Sequence, residues 1–424
     1  MTPEIKQRIE QIRRGEVPEG YVKKRKVVIP QQWGLPQIKD IASISSGSTP
    51  NRNNSEYWNG NIAWVTTGEL SSGHVNHTSE LITVKAVKET KMRIYPQGTL
   101  LMAMYGQGKT RGTVAILEID AAVNQACAAI TVKDGKSKFL FYQLKNSYQD
   151  IRKLSNTGNQ ENLNADIIKT YQVPWAPGEE QERISTILTT QDKVIELKEK
   201  RLAEKQRQKK YLMQQLLTGK KRLPGFSGEW KNIKLCEVLS ERKEKNVEQN
   251  LRICSVAVQK GVVDQVEHLG RSYAANDTSN YSVAHYGDII YTKSPTGDFL
   301  YGIVKQNLLQ ETVAVSPLYG VFTPLTFGLG YFLHTYFQSA ICARNYLLPI
   351  VQKGAKNTIN ITNDTFISSK LYLPLDVEEQ KAIADTFIAA DREIELLQQD
   401  IEQEKQKKKA LMQLLLTGIV RVKT

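Results

Sequence analysis

The chain has 424 residues, of which 40% are hydrophobic, and 57 Lys and Arg stand against 44 Asp and Glu, a net charge of +13. At roughly 150 residues per domain that length predicts two or three units rather than one core, and the hydrophobic share excludes wholesale disorder. The positive excess favours a polyanionic partner, nucleic acid first and an anionic membrane surface second. In chain order, residues 1–30 read as a helix end, with Ile5, Ile9 and Ile12 at helical spacing, followed by a basic tether from Lys23 to Lys26. Residues 31–176 form a globular region of mixed α/β texture, with short β-type runs such as Gly98 to Met102 between Gly, Asn, Ser and Pro. A long helix follows over 177–219, then a linker over 220–228 (KKRLPGFSG). A second globular region covers 229–376, a second long helix 377–418, and a short tail 419–424.

The two helices repeat each other without a gap. Glu179-Glu180-Gln181 matches Glu378-Glu379-Gln380, Asp192 matches Asp391, and Lys209-Lys210 matches Lys408-Lys409. Leu216-Leu217-Thr218-Gly219 matches Leu415-Leu416-Thr417-Gly418. In the second copy Ile383, Phe387, Ala390, Ile394, Leu397, Ile401, Leu411 and Leu415 alternate steps of four and three, the seam of a coiled coil. The first copy carries Ile184, Leu188, Ile195, Leu202, Leu212 and Leu216 on the same seam, interrupted by Gln191, Lys198, Lys205 and Lys209. No Pro or Gly lies inside either helix, from Glu179 to Thr218 or from Glu378 to Thr417, and each stops at a Gly. About 38 residues make a rod of roughly 57 Å. A single apolar stripe needs a partner, and the other copy, running antiparallel, is the expected one. The Lys-rich runs (Lys205 to Lys210, Lys405 to Lys409) read as a solvated face. The globular regions correspond more weakly: Trp33 with Trp230, Gly98 with Gly287, Gly108 with Gly297, and Gln172-Val173-Pro174 with Tyr372-Leu373-Pro374. The fold class expected is α+β, two globular mixed α/β domains separated by two long helices, with an internal pseudo-twofold.

A search for chemistry comes back without a site. Ala103 to Thr110 fits a loose phosphate-loop pattern, but Arg111 to Leu117 reads as β where a phosphate loop needs a helix. His74 and His77 have no Cys or carboxylate at metal spacing. There is no H-E-x-x-H, no G-x-S-x-G, and no Asn/Asp-Pro-Pro-aromatic loop of an adenine methyltransferase. The expectation is no catalytic residue, no metal and no cofactor. Cys127, Cys236, Cys254 and Cys342 are far apart and form no CxxC pair, which suits free thiols in a reducing compartment. No run of ~18 apolar residues offers a membrane span, and MTPEIKQRIEQIRRG lacks a signal peptide's apolar stretch. A soluble, cytoplasmic protein is expected.

Contact with DNA wants Arg and Lys for phosphate and guanine, Asn and Gln for adenine. Candidates in the first region are Asn51, Arg52, Asn53 and Thr67, then Tyr105, Gln107, Lys109 and Arg111, then Asn159 and Gln160. In the second they are Arg271, Tyr273, Lys293, Ser294, Thr296, Lys353, Lys356 and Asn357.

The Glu-Glu-Gln start of each helix, the Leu-Leu-Thr-Gly end, Leu223-Pro224-Gly225-Phe226 followed by Trp230, and the run from Gly47 through Tyr57-Trp58-Asn59-Gly60 to Val65 resemble the specificity subunits of type I restriction-modification systems. The resemblance covers nearly the whole chain. It implies two target-recognition domains, each reading half of a split double-stranded DNA target. It also implies an antiparallel coiled coil that fixes the half-site spacing and docks two modification (methyltransferase) subunits, through which restriction (translocase-nuclease) subunits join. In the second half, Glu241 to Lys245 replaces the Gly-x-Thr-Pro stretch. Two other readings of the layout are a stand-alone two-domain DNA-binding regulator and a coiled-coil scaffold without nucleic acid.

Overall fold

A computed structural model describes residues 2–106, 108–154, 162–271, 274–353 and 359–422, with backbone alone at 352–353 and 359–360. The chain divides into two units, Met1–Leu197 with Asp400–Thr424, and Lys198–Gln399.

The first unit opens with α1 (Pro3–Arg13) and a hairpin of β1 (Tyr21–Lys24) and β2 (Val27–Pro30). The expected basic tether is therefore ordered: β1 pairs antiparallel with β2, and Arg25 takes φ 54° at the turn. The reason is apolar anchoring, since Ile29 is buried and Val22 packs against the same core. There follow α2 (Ile38–Ile41), β3 (Ala42–Ser46), β4 (Trp58–Val65), β5 (His74–Val75), β6 (Glu80–Ile82) and α3 (Val84–Thr90). Next come β7 (Leu100–Ala103), β8 (Val114–Leu117), β9 (Ala121–Val123), β10 (Cys127–Val132), α4 (Ser137–Asn146), α5 (Tyr148–Lys153) and α6 (Ala165–Thr170). Two sheets result, β3-β10-β7-β8-β5 and β6-β4-β9. The helix α7 (Gly178–Leu216) contributes its first half to this unit and its second half to the next.

The second unit holds β11 (Trp230–Lys234), β12 (Leu239–Glu241), β13 (Arg252–Ala257), β14 (Gly261–Asp264), α8 (Gln265–Leu269), β15 (Ser282–Ala284) and β16 (Ile289–Tyr291). It continues with β17 (Val304–Gln306), β18 (Val313–Val315), β19 (Gly320–Pro324), α9 (Phe327–Tyr336) and α10 (Ala340–Leu347). Last are β20 (Gln352–Lys353), β21 (Ile359–Asn360), α11 (Asn363–Ser368), β22 (Lys370–Pro374) and α12 (Val377–Leu416), whose second half belongs to the first unit. Its larger sheets are β12-β19-β16-β17 and β14-β13-β18-β15.

Within each unit, segments of the two long helices run antiparallel. In the first, Gln191 donates to the Glu404 carboxylate and Asp192 pairs with Lys408. Ile184, Leu188, Leu411, Met412 and Leu415 share one core with Trp33, Phe139 and Ala176. In the second, Lys209 pairs with Asp391 and Lys205 with Glu393, and Leu212 and Leu216 share a core with Ile383, Phe387 and Trp230. Ile195, Leu397 and Ile401 are buried, Leu202 and Ile394 half-buried. The helices end three and two residues before the expected bounds, and Gly219 and Gly418 follow in the left-handed region at φ 68° and 72°. Their amide N–H groups donate to Leu216 and Leu415.

Each unit fixes its helices by the same two polar clusters. Glu180 is 1% exposed and accepts from Trp33 Nε1 (2.9 Å), Arg421 Nε (2.8 Å) and Arg421 Nη2 (2.9 Å). Glu379, also 1% exposed, accepts from Trp230 Nε1 (3.1 Å) and from both Nε and Nη2 of Arg222. Tyr142 donates to Asp192 (2.7 Å), which pairs with Lys408, and Tyr331 donates to Asp391 (2.9 Å), which pairs with Lys209. The linker 220–228 and the tail 419–424 supply Arg222 and Arg421, which neutralise these buried carboxylates. One expectation is corrected here. Lys209 and Lys408 are only 12% exposed and do not belong to a solvated face. A charge on a seam is tolerated when an opposite charge meets it there.

Candidate nucleic-acid interface

In the first unit the C-terminal ends of β3, β4, β7 and β9 and the start of β10 come to one edge. Gly47 N–H donates to Cys127 (3.3 Å), Ser48 N–H to Val123 (2.9 Å), Asn124 N–H to Val65 (2.9 Å) and Met104 N–H to Ala126 (2.8 Å). The approach at Gly47 requires glycine, since a Cβ there would lie 2.0 Å from the Val123 carbonyl oxygen. This edge therefore gathers the loops over 47–54, 66–67 and 104–113. On these loops Asn51, Arg52, Asn53, Tyr105 and Lys109 are exposed and Thr67 is half-buried.

The loop over 105–111 is held from behind by α5. Tyr148 donates to the Lys109 carbonyl (2.7 Å), and Arg152 donates to the Arg111 carbonyl (3.0 Å). Gly106 and Gly108 have φ 136° and 60°, so these glycines serve the turn, and the chain continues into β8 rather than a phosphate-binding helix. Arg111, by contrast, is only 9% exposed. Gln107, Asn159 and Gln160 lie outside the described residues. Sequence reasoning missed Trp58 and Glu80, which hold Arg52: its guanidinium sits 4.1 Å from the Trp58 ring and pairs with Glu80. The pair holds the Glu80 carboxyl below its usual pKa. The one available signal was the Trp58-Asn59-Gly60 spacing, whose use depends on a fold.

In the second unit Lys293, Ser294 and Thr296 lie in the turn after β16, the place that the 105–111 loop holds after β7. Gly297 takes φ 54° where Gly108 takes 60°, but Gly106 at φ 136° stands opposite Pro295 and Lys293 alone takes φ 58°, so the two turns share one left-handed glycine and otherwise differ. Ser294 and Thr296 are exposed, while Lys293 is half-buried, and burial holds its ammonium below the usual lysine pKa. Arg271 is exposed and follows α8, beside the other large sheet. Tyr273, Lys356 and Asn357 lie outside the described residues, as does the side chain of Lys353. His74 pairs with Glu118 (2.7 Å) and His77 meets Asn76 (2.6 Å). No group of three or more His, Cys, Asp or Glu among the described residues could hold a metal ion. No helix among them is long and apolar enough to cross a membrane.

Two regions of the chain, 30–206 and 228–406, match the model of the type I restriction modification DNA specificity domain. The chain belongs to that family. Each match takes in one globular region and most of the helix that follows it. The type I restriction enzyme MjaIX specificity subunit of Methanocaldococcus jannaschii is 34% identical over 178 residues, 41% of this chain and 40% of that one. The MjaVIII specificity subunit of the same organism is 24% identical over 93% of this chain and 94% of its own length. Among solved structures, the S subunit of a type I restriction-modification system from M. genitalium superposes with a TM-score of 0.55 at 12% identity, covering 95% of this chain and 99% of that one. That likeness bears on the fold, which is the expected α+β arrangement of two sheet-rich domains and two long helices. The role that goes with the family is DNA-sequence specificity in a restriction-modification system.

Proposed function

We propose that this chain is the recognition subunit of a type I complex and carries no catalytic centre of its own. Each globular domain reads one half of a bipartite double-stranded DNA target. The paired helices set the spacing of the half-sites and dock two modification (methyltransferase) subunits, and restriction (translocase-nuclease) subunits join through these. The complex works in the cytoplasm. One observation carries the reading. Two domains that differ in sequence are seated on their helices by the same Trp–Glu–Arg and Tyr–Asp–Lys clusters. A repeated frame suits two copies of one partner, and unlike readers suit an asymmetric target.

Spacing enters through helix length. A helix of 39 residues is about 58 Å long, and B-DNA presents the same face every ~34 Å. Methylation mapping in the source cell tests the proposal. A split motif with adenine marked on both strands is expected, and its loss on deletion of this chain. Unchanged methylation after deletion would falsify it.

A further inference from the structure

Arg52 is a candidate contact residue whose side chain is both open to solvent and fixed in place. The fixing begins in β4. Its register against β6 slips, so that Trp58 and Ile62 both stand opposite Ile82. Asn59 takes φ 61°, and Gly60 passes so close to β6 that a Cβ would lie 2.4 Å from the Ile82 carbonyl oxygen. Such a bulge re-aims a side chain. Here it turns Trp58 edge-on to Trp64, with ring centroids 5.2 Å apart. Trp58 Nε1 then donates to the Asn51 carbonyl (3.2 Å), which pins the preceding loop. The Arg52 guanidinium comes to rest over both rings, 4.1 Å from Trp58 and 5.0 Å from Trp64. Glu80, opposite Trp64 in register, accepts from both terminal nitrogens, Nη2 at 3.0 Å.

Arginine carries five N–H donors in a plane. The Glu80 pair takes one from each terminal nitrogen. The edge formed by Nε–H and its neighbouring Nη–H keeps two parallel donors, and the side chain is 54% exposed. Two parallel donors match O6 and N7 of guanine in the major groove. A phosphate contact asks only for charge within reach, and a carboxylate beside the guanidinium weakens that attraction. A base contact asks for a fixed fork, and here the ordering cost is met before DNA arrives. We propose that Arg52 reads a guanine in the half-target of the first domain, with Trp58 and Glu80 as its positioning residues. The inference rests on the reading that this domain binds DNA by sequence.

The test takes the chain assembled with its modification subunits and a pool of duplexes of randomised sequence, selected at two salt concentrations. For Arg52→Lys, preference for guanine at one position of one half-target should fall roughly 10- to 100-fold. The other positions and the salt dependence should stay as in the wild type, because the charge is kept. Glu80→Gln should relax the same position by a smaller factor. Two results overturn the inference. One is a wild-type complex with clear preferences that Arg52→Lys leaves unaltered. The other is Arg52→Gln weakening all sequences evenly, with a salt slope shallower by about one. A wild-type complex without sequence preference removes the parent reading and this one together.

Discussion

In the first domain a buried carboxylate, Glu180, takes Trp33 and Arg421; in the second, Glu379 takes Trp230 and Arg222. The tyrosines Tyr142 and Tyr331 likewise meet Asp192 and Asp391. Three residues past the tyrosine the two domains part. The first has Lys145, whose ammonium burial holds below the usual lysine pKa. The second has His334, fully enclosed and kept neutral by burial and by Lys305 and Lys209 nearby. At the start of the same helices, Thr326 donates to Gln380 (2.7 Å) in the second domain, while the corresponding N-cap in the first is Lys136, which makes no side-chain cap. The Trp–Glu–Arg and Tyr–Asp–Lys groups that meet the long helices are repeated, and the groups beside and behind them have drifted. A frame that tolerates drift behind it is a frame on which readers can be exchanged.

The largest test of that comparison is such an exchange. Replacing residues 31–176 with the matching region of another family member should change one half of the methylated motif completely and leave the other untouched. Altered specificity in both halves breaks the comparison. Next is the buried pair. Glu379→Ala strands Arg222 and Trp230 Nε1, and should cost the second unit about 3 kcal/mol. Glu180→Ala should cost the first unit a similar amount. Native-state hydrogen exchange, read separately for each unit, checks both values, and a cost confined to one of them denies that the clusters are equivalent.

The pH response sharpens the contrast. The folded pKa of His334 lies below 6.5, so the unfolded chain takes up the proton first as pH falls. The second unit is then fully stable above pH 6.5 and should lose up to about 1.4 kcal/mol per pH unit below it. The shift at Lys145 acts only in the alkaline range, because its unfolded value is 10.5. The first unit should show no matching loss from this site between pH 7 and 5. Equal acid sensitivity at both sites, followed by exchange protection, would sink the assignment. The smallest effect is at the caps. Thr326→Ala removes an N-cap that accepts from Leu329 N–H (3.0 Å) and should cost about 1 kcal/mol. Lys136→Ala should cost nothing at the same place in the first domain.

Much of this was legible in the sequence, and for definite reasons. Seam residues such as Ile184, Leu188, Ile383 and Phe387 repeat at helical spacing, and an apolar stripe must be buried whatever lies against it. Gly98 and Gly287, with φ 87° and 91°, mark matching turns because the backbone there asks for glycine. The partners of polar residues were not legible. Lys209 looked like a fault in a seam and Lys408 like part of a solvated face, because the aspartates that meet them lie far away in sequence. Arg222 and Arg421 looked like linker and tail for the same reason.

The sequence by itself determined the internal repeat, the two long helices with their apolar stripes, and the alternation of globular and helical segments. These depend on local periodicity and backbone preference, which a chain carries at every point. Only the tertiary structure decided which carboxylate each cation meets, that the loops over 47–54 and 104–113 share an edge, that Arg111 is buried, and that a bulge in β4 seats Arg52 on Trp58. Each of these is a contact between residues distant along the chain, and such a contact exists only once the strands and helices between them have found their places.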